Sequence, residues 1–248
     1  MSEVNYASGS TKEVQHAETK CEDVGRQRGQ CEHGSGRKLV SEIVKRLSGE
    51  PLLILFSTGK DSIAAADLMF RYHHGIKRLV YMYLVDGLSF KEKILSYYEK
   101  RWNTTIERIQ SPVAVELSQG KKILLGQIEK NLRYKHNISW IVTGLRCSDS
   151  LIRRYFGRQA DTDGIDFRNR KVYPIKYWKE RDVFSYCKIN KLPLPVEYAM
   201  GARHDFCHPS IQALCWLKRC FPSDYKKVID TYPKLELLVW REENRGRE

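Results

Sequence analysis

Five consecutive apolar residues, Leu52-Leu53-Ile54-Leu55-Phe56, stand between Gly49-Glu50-Pro51 and Ser57-Thr58-Gly59. A run this short, apolar throughout and bounded by turn residues, has the pattern of a strand buried on both faces. Such a strand needs a sheet with helices covering each side. The neighbouring sequence supplies them. Leu39, Ile43, Val44 and Leu47 fall at helical spacing before the run, and Ile63 to Tyr72 reads as a helix after it. The alternation then continues with a strand over 79–85, a helix over 90–102, a strand over 104–109, a helix over 123–134 and a strand over 140–143. Strands alternating with helices of this length predict an α/β fold built on a doubly wound, mainly parallel sheet.

The second half is less regular. Residues 146–181 are crowded with basic side chains and broken by Gly157, Gly164 and Pro174. Helical patterns cover 182–188, 211–219 and a stretch from Asp224 towards Trp240 that Pro233 interrupts, so this part is expected around the mouth of the sheet. Residues 1–37 carry almost no large apolar side chains and are expected to be a disordered leader, because they bury too little surface to offset the entropy of ordering. The folded domain is expected over 38–240, with a polar tail over 241–248.

Directly after the first buried strand comes Ser57-Thr58-Gly59-Lys60-Asp61-Ser62. In a parallel α/β sheet, ligands collect beyond the carboxyl ends of the strands, beside helix N-termini. Gly59 allows backbone N–H groups to approach an anion, and the helix beginning near Ser62 adds its partial positive charge. Hydroxyls from Ser57, Thr58 and Ser62 and the cation of Lys60 suit a phosphate. The loop is not the Walker A pattern, which needs Gly-x-x-x-x-Gly-Lys-Ser/Thr. An ordinary strand-to-helix turn also uses Gly and Ser, but six such residues in register with both flanking elements favour the anion reading.

These six residues resemble the PP-loop of the ATP pyrophosphatases, and further elements resemble their phosphoadenylylsulfate (PAPS) reductase-like branch. Asp86-Gly87 with Phe90 and Glu92 resembles the second element, although the Thr usual between the Asp and Gly is missing. Gly144-Leu145-Arg146, Asp149-Ser150 and Arg153 resemble the third. Pro174-Ile175, Trp178 and Asp182-Val183 resemble the fourth. Together they run in family order over roughly residues 39–240. The resemblance implies an adenine nucleotide alpha hydrolase-like, Rossmann-like fold with a C-terminal helical part. It implies ATP or a related adenylyl nucleotide on Ser57, Thr58, Gly59, Lys60, Asp61 and Ser62, with Mg²⁺ as the companion ion. Asp86 would hold the ribose or base, Gly144 would line the nucleotide, and Arg146 and Arg153 would form a second anion clamp. Lys60, Arg146 and Arg153 are the expected catalytic side chains. Arg154 and Arg158 read equally well as solvated surface charges.

Two departures bear on the reaction. Sulfonucleotide reductases carry a nucleophilic cysteine in a C-terminal segment, whereas the last cysteine here is Cys220, at a helix end that reads as packing. Thiol-dependent reduction of PAPS is therefore disfavoured. Several relatives also carry Cys-x-x-Cys. Here Cys207 is followed by Ser210 in that place, so buried thiols are the expectation over a mixed site of Cys207, His204, His208 and Cys215. Cys21, Cys31, His16 and His33 in the leader match no zinc spacing.

The chain has a formal net charge of +13 and seven cysteines. Residues 1–38 hold six basic and six acidic side chains, and 241–248 hold three of each. The surplus therefore lies in the folded middle, where it favours polyanions. With no apolar run near the roughly 18 residues of a membrane span and no secretory signal at the start, a cytoplasmic protein is expected. The leading expectation is an enzyme that cleaves ATP between the α and β phosphates to adenylylate a substrate. The resemblance to DNA phosphorothioation proteins and tRNA thiolation enzymes at the loop adds sulfur transfer to nucleic acid, with DNA or another polyanion as partner. The alternatives are a PAPS reductase-like or small-molecule nucleotidyl transfer enzyme, and a non-catalytic nucleotide-binding module that regulates a protein partner.

Overall fold

The computed structural model describes residues 34–161, 163–199 and 210–245. Helix α1 (Gly34–Arg46) leads into β1 (Leu52–Leu55), α2 (Lys60–Tyr72), β2 (Lys77–Tyr83), α3 (Ser89–Trp102) and β3 (Ile106–Gln110). Then come α4 (Pro112–Gln119), α5 (Leu125–His136), β4 (Trp140–Val142), α6 (Leu151–Gln159), β5 (Ile165–Asp166) and β6 (Lys171–Val172). The chain continues through α7 (Glu180–Ile189), α8 (Val196–Ala199), α9 (Ile211–Cys220), α10 (Pro222–Thr231) and α11 (Lys234–Glu243).

The six strands lie in the order β3-β2-β1-β4-β6-β5. All neighbours are parallel except β5 and β6. The expected doubly wound sheet is therefore present. The apolar run sits at its centre, with Leu52 opposite Lys77 on one side and Trp140 on the other. Successive residues of β1 face opposite layers, as the two-residue pleat requires. Leu52 and Ile54 pack in the main core with Ile43, Ile63, Met69, Leu95 and Tyr98. Leu53 packs in the other layer with Val80, Leu132, Ile138 and Ile141. Both faces are closed, and each fully buried Leu or Ile contributes about 1.5–3 kcal/mol.

Small side chains bring α2 close to the sheet: Ala64, Ala65 and Ala66 are buried along it. Helices α9, α10 and α11 form a second core with Leu84, Leu88, Phe90 and Ala114. Phe90 lies between Trp216 and Phe221, at ring-centroid distances of 5.9 and 5.0 Å. This is the C-terminal helical part expected at the sheet mouth.

Element ends differ from the sequence reading in places. Helix α1 begins at Gly34, inside the expected leader, whose residues 1–33 lie outside the described residues. Helix α11 continues to Glu243, into the expected polar tail. Helix α2 begins at Lys60 rather than near Ser62, so Lys60, Asp61 and Ser62 form its first turn.

Candidate phosphate-binding site

From β1 the chain steps to β2 and β3 on one side, then returns to place β4 on the other. The switch point therefore lies between the carboxyl ends of β1 and β4, where the loops leave in opposite directions and open a crevice. The two segments that meet there are 56–59 and 143–149.

The first segment is held in an unusual conformation. Thr58 is fully buried and has φ of 63°. A β-branched residue in that region carries strain of about 1–3 kcal/mol, so its surroundings must enforce it. They do so through Lys91 of α3, whose Nζ donates to Thr58 Oγ1 at 3.1 Å and to Glu197 Oε1 of α8 at 2.5 Å. Ser57 and Ser62 tie the turn together: Ser57 Oγ donates to Ser62 Oγ at 3.2 Å, and Ser62 Oγ donates to the Gly59 carbonyl at 2.9 Å. Gly59 precedes α2 in extended conformation and gives no side-chain cap. Lys60 N is met by the Tyr198 hydroxyl, and among the described residues the Asp61 and Ser62 amides of the same turn have neither an intrahelical nor a capping partner, the arrangement that receives anions.

The second segment approaches that turn as closely as backbone allows. A Cβ on Gly144 would stand 2.6 Å from the Asp61 carbonyl carbon and 2.8 Å from Ser62 N. Glycine is required there by packing. Beyond it, Arg146 is 4% exposed and spans the crevice. Its Nε lies 2.8 Å from Asp61 Oδ1, and its guanidinium also pairs with Asp149. Arg153, in the first turn of α6, pairs with the same Asp149 at 2.6 Å. Lys60 Nζ lies 3.0 Å from Asp61 Oδ2 and 3.5 Å from Glu180 Oε1. Lys60, Asp61, Arg146, Asp149 and Arg153 thus form one chain of ion pairs across the switch point. Burial raises the Asp61 carboxyl above its ordinary value, although Lys60 and Arg146 pull it down. Asp61 Oδ1 and Arg146 Nε are close but not aligned, and each remains a buried polar atom without a hydrogen bond.

The other motif residues divide. Asp86 is exposed three residues past the end of β2, and its Oδ1 accepts from Gly87 N at 3.0 Å. Glu92 pairs with Arg108 at 2.9 Å, and Asp182 accepts from Lys179 N at the start of α7. Trp178 packs on Tyr186 at 5.2 Å. Glu92 and Asp182 hold elements in place, and the Trp178 carbonyl accepts from Ser148 Oγ at 3.0 Å, tying its loop to the 143–149 segment.

Sequence reasoning missed the groups that secure the loop. Lys60 N donates to the Tyr198 hydroxyl at 3.2 Å, and Phe184 lies 5.7 Å beneath the Lys60 ammonium. For Lys91 a signal existed: Lys91, Ile94, Leu95 and Tyr98 have the i, i+3, i+4, i+7 spacing of one helix face, which places the lysine inward. Tyr198 and Glu197 carry no comparable local signal.

Cys187 is buried beside the Lys60 carbonyl, and burial pushes its thiol up to about 12. It is therefore not a thiolate near neutral pH. Cys147 Sγ lies 2.3 Å from where a Cβ on Gly157 would stand, so it packs against α6. Cys215 and Cys220 pack against the second core, in keeping with the packing role read for Cys220. Cys207, His204 and His208 lie outside the described residues. Among the described residues no group of three His, Cys, Asp or Glu could hold a metal. The crevice carboxylates Asp61 and Asp149 are both paired with Arg146, which fits a Mg²⁺ carried mainly by nucleotide phosphates. No helix of the described residues is long and apolar enough to cross a membrane.

A doubly wound sheet with a strand-to-helix turn at its switch point is the architecture in which α/β proteins hold ligands beyond the carboxyl ends of the strands. Residues 51–204 match the phosphoadenosine phosphosulfate reductase domain, and the chain belongs to that family. No curated protein matches it. Among solved structures, the U34-tRNA thiolase NcsA from Methanococcus maripaludis, with its [4Fe-4S] cluster, is similar at 11% identity and a TM-score of 0.47, covering 82% of this chain and 78% of that one. The PAPS reductase from Candida auris is similar at 12% identity and a TM-score of 0.47, covering 83% and 100%. The NH3-dependent NAD synthetase from Campylobacter jejuni is similar at 14% identity and a TM-score of 0.46, covering 86% and 95%.

Proposed function

We propose that the chain binds ATP with its phosphates on Ser57–Ser62 and cleaves it between the α and β phosphates to adenylylate an acceptor. The observation that carries this reading is the first turn of α2 at the switch point, where the Asp61 and Ser62 amides have no partner among the described residues and Gly144 closes the other side. An acceptor oxygen would attack the α phosphorus, the bond to the bridging oxygen would break, and pyrophosphate would leave with the negative charge. Such a step needs positive charge placed at the leaving group more than acid–base chemistry. The first-turn amides and Lys60 are positioned for that. Arg146 and Arg153 would serve the α-phosphate or acceptor end, where a guanidinium suits a phosphate or sulfate. Mg²⁺ carried by the triphosphate would neutralise part of the same charge. Asp86, exposed beyond β2, would reach the ribose or base.

For the acceptor, helix α6 supports a polyanion such as DNA. It carries Arg153, Arg154 and Arg158 and no acidic residue. Tyr155 and Phe156 are exposed beside them, packed edge-on at 5.7 Å. Arginines interleaved with exposed aromatics match a strand that offers phosphates and base faces. Sulfur transfer to such a strand would require a separate sulfide-level donor whose sulfur attacks the adenylylated acceptor and displaces AMP.

A second reading, a nucleotide-binding regulator without catalysis, is favoured by the pairing of Lys60 and Arg146 with carboxylates, which engages both cations inside the protein. Incubation with α-labelled ATP, Mg²⁺ and candidate acceptors separates the two. Acceptor-dependent release of AMP or an adenylylated product, lost in Lys60→Ala, supports the enzyme. Tight ATP binding with no turnover across nucleic acids, sulfate and nucleotide acceptors would leave the regulator.

A further inference from the structure

The short helix α8 reaches the phosphate turn at two adjoining points. Glu197 and its partner Lys91 are both buried, and Lys91 bridges from Glu197 to Thr58. The next residue, Tyr198, accepts the Lys60 N–H at 3.2 Å. Its hydroxyl oxygen lies 3.7 Å from where a Cβ on Gly59 would stand, directly over the glycine. The Tyr198 ring is fixed by an edge-on contact with Phe184, with centroids 6.1 Å apart.

A phenol that accepts one hydrogen bond keeps its own O–H to donate. Among the described residues the Tyr198 hydrogen has no acceptor, and it stands where an anion would approach the turn. Burial holds the phenol above its ordinary pKa, so it stays protonated and able to donate near neutral pH.

We propose that Tyr198 is a ligand of the oxyanion on the turn, donating its hydroxyl hydrogen to a phosphate oxygen of pyrophosphate or a nucleoside triphosphate. The Lys91–Glu197 pair is then a positioning device: it fixes α8 against Thr58 and so sets the height of the hydroxyl above Gly59. This inference rests on the reading of Ser57–Ser62 as a phosphate site and adds a member to it from 138 residues further along the chain.

Calorimetric titration of the full chain with pyrophosphate, ATP and adenosine tests the assignment. Tyr198→Phe keeps the ring and removes the hydroxyl. It is expected to weaken pyrophosphate and ATP about five- to tenfold, to leave adenosine unchanged, and to leave the thermal midpoint near that of the parent. Lys60→Ala is titrated beside it. If Lys60→Ala loses ATP while Tyr198→Phe binds like the parent, Tyr198 is no ligand and the phosphate turn stands. If Tyr198→Phe weakens adenosine equally or unfolds early, its role is structural and the proposal fails. If the parent binds neither pyrophosphate nor ATP, the phosphate reading falls and this one with it.

Discussion

Three residues decide whether the crevice can exist. Thr58 is bent into a left-handed conformation and held there from below. Lys60 leads a turn whose first N–H is met by the distant Tyr198 hydroxyl. Gly144 lets the loop after β4 touch the backbone of that turn. The third makes a clear test, because the atoms a methyl group would meet are backbone and cannot swing aside. Gly144→Ala is expected to cost about 1–3 kcal/mol, the range for overpacking a close contact. Urea denaturation measures it, and an unchanged midpoint would mean that the two loops do not meet as described. The sequence singled out Lys60 through the loop after the central strand and Gly144 through the Gly144-Leu145-Arg146 element. The sequence reading assigned Gly144 to the nucleotide, whereas the structure places it in contact with protein backbone. A residue pattern marks where a glycine is needed but not which neighbour needs it.

At the level of elements, the central strand was legible because an apolar run between turn signals has few other solutions. Helix α4 was not, although Ser111 caps it, Pro112 opens it and Gly120 closes it with φ of 66°. Its eight residues are too few for periodicity to stand out. Strands β5 and β6 have two residues each, below any pattern a sequence can display. Element ends also carry pH-sensitive packing. His73 closes α2, with Nε2 2.7 Å from the Leu47 carbonyl and Nδ1 accepting from Gly75 N at 3.1 Å. That arrangement fixes a neutral ring, and burial lowers its pKa. The unfolded ring titrates near its ordinary value of about 6.5. The stability His73 contributes is therefore complete above that pH and declines as pH falls towards the folded pKa, because the unfolded state takes up the proton first. Each pH unit of lowering corresponds to about 1.4 kcal/mol. Unfolding free energies at pH 7.5 and 5.5 should differ more for the parent than for His73→Gln; equal differences would remove His73 as the source.

Across the whole molecule, the charge surplus and the fold point to one edge of the sheet. Residues 1–38 and 241–248 are charge-balanced, so the residues between them carry the field, and α6 presents part of it next to the crevice. Binding of a single-stranded oligonucleotide should weaken steeply with salt. Arg154→Ala with Arg158→Ala should make the log–log slope shallower by about one for each phosphate that the missing guanidinium had neutralised. A slope unchanged by both substitutions would place the polyanion elsewhere. The choice of acceptor was not legible in the sequence, because α6 reads there only as one more basic stretch and its exposure is a tertiary property. The nucleotide site depends on none of this. The most direct test of it is equilibrium binding of ATP with Mg²⁺ to the full chain and to Lys60→Ala. The phosphate turn predicts saturable binding by the parent, weakened at least tenfold by the substitution. Equal affinity for both proteins, or no binding by the parent, would contradict the assignment of Ser57–Ser62 to the phosphates.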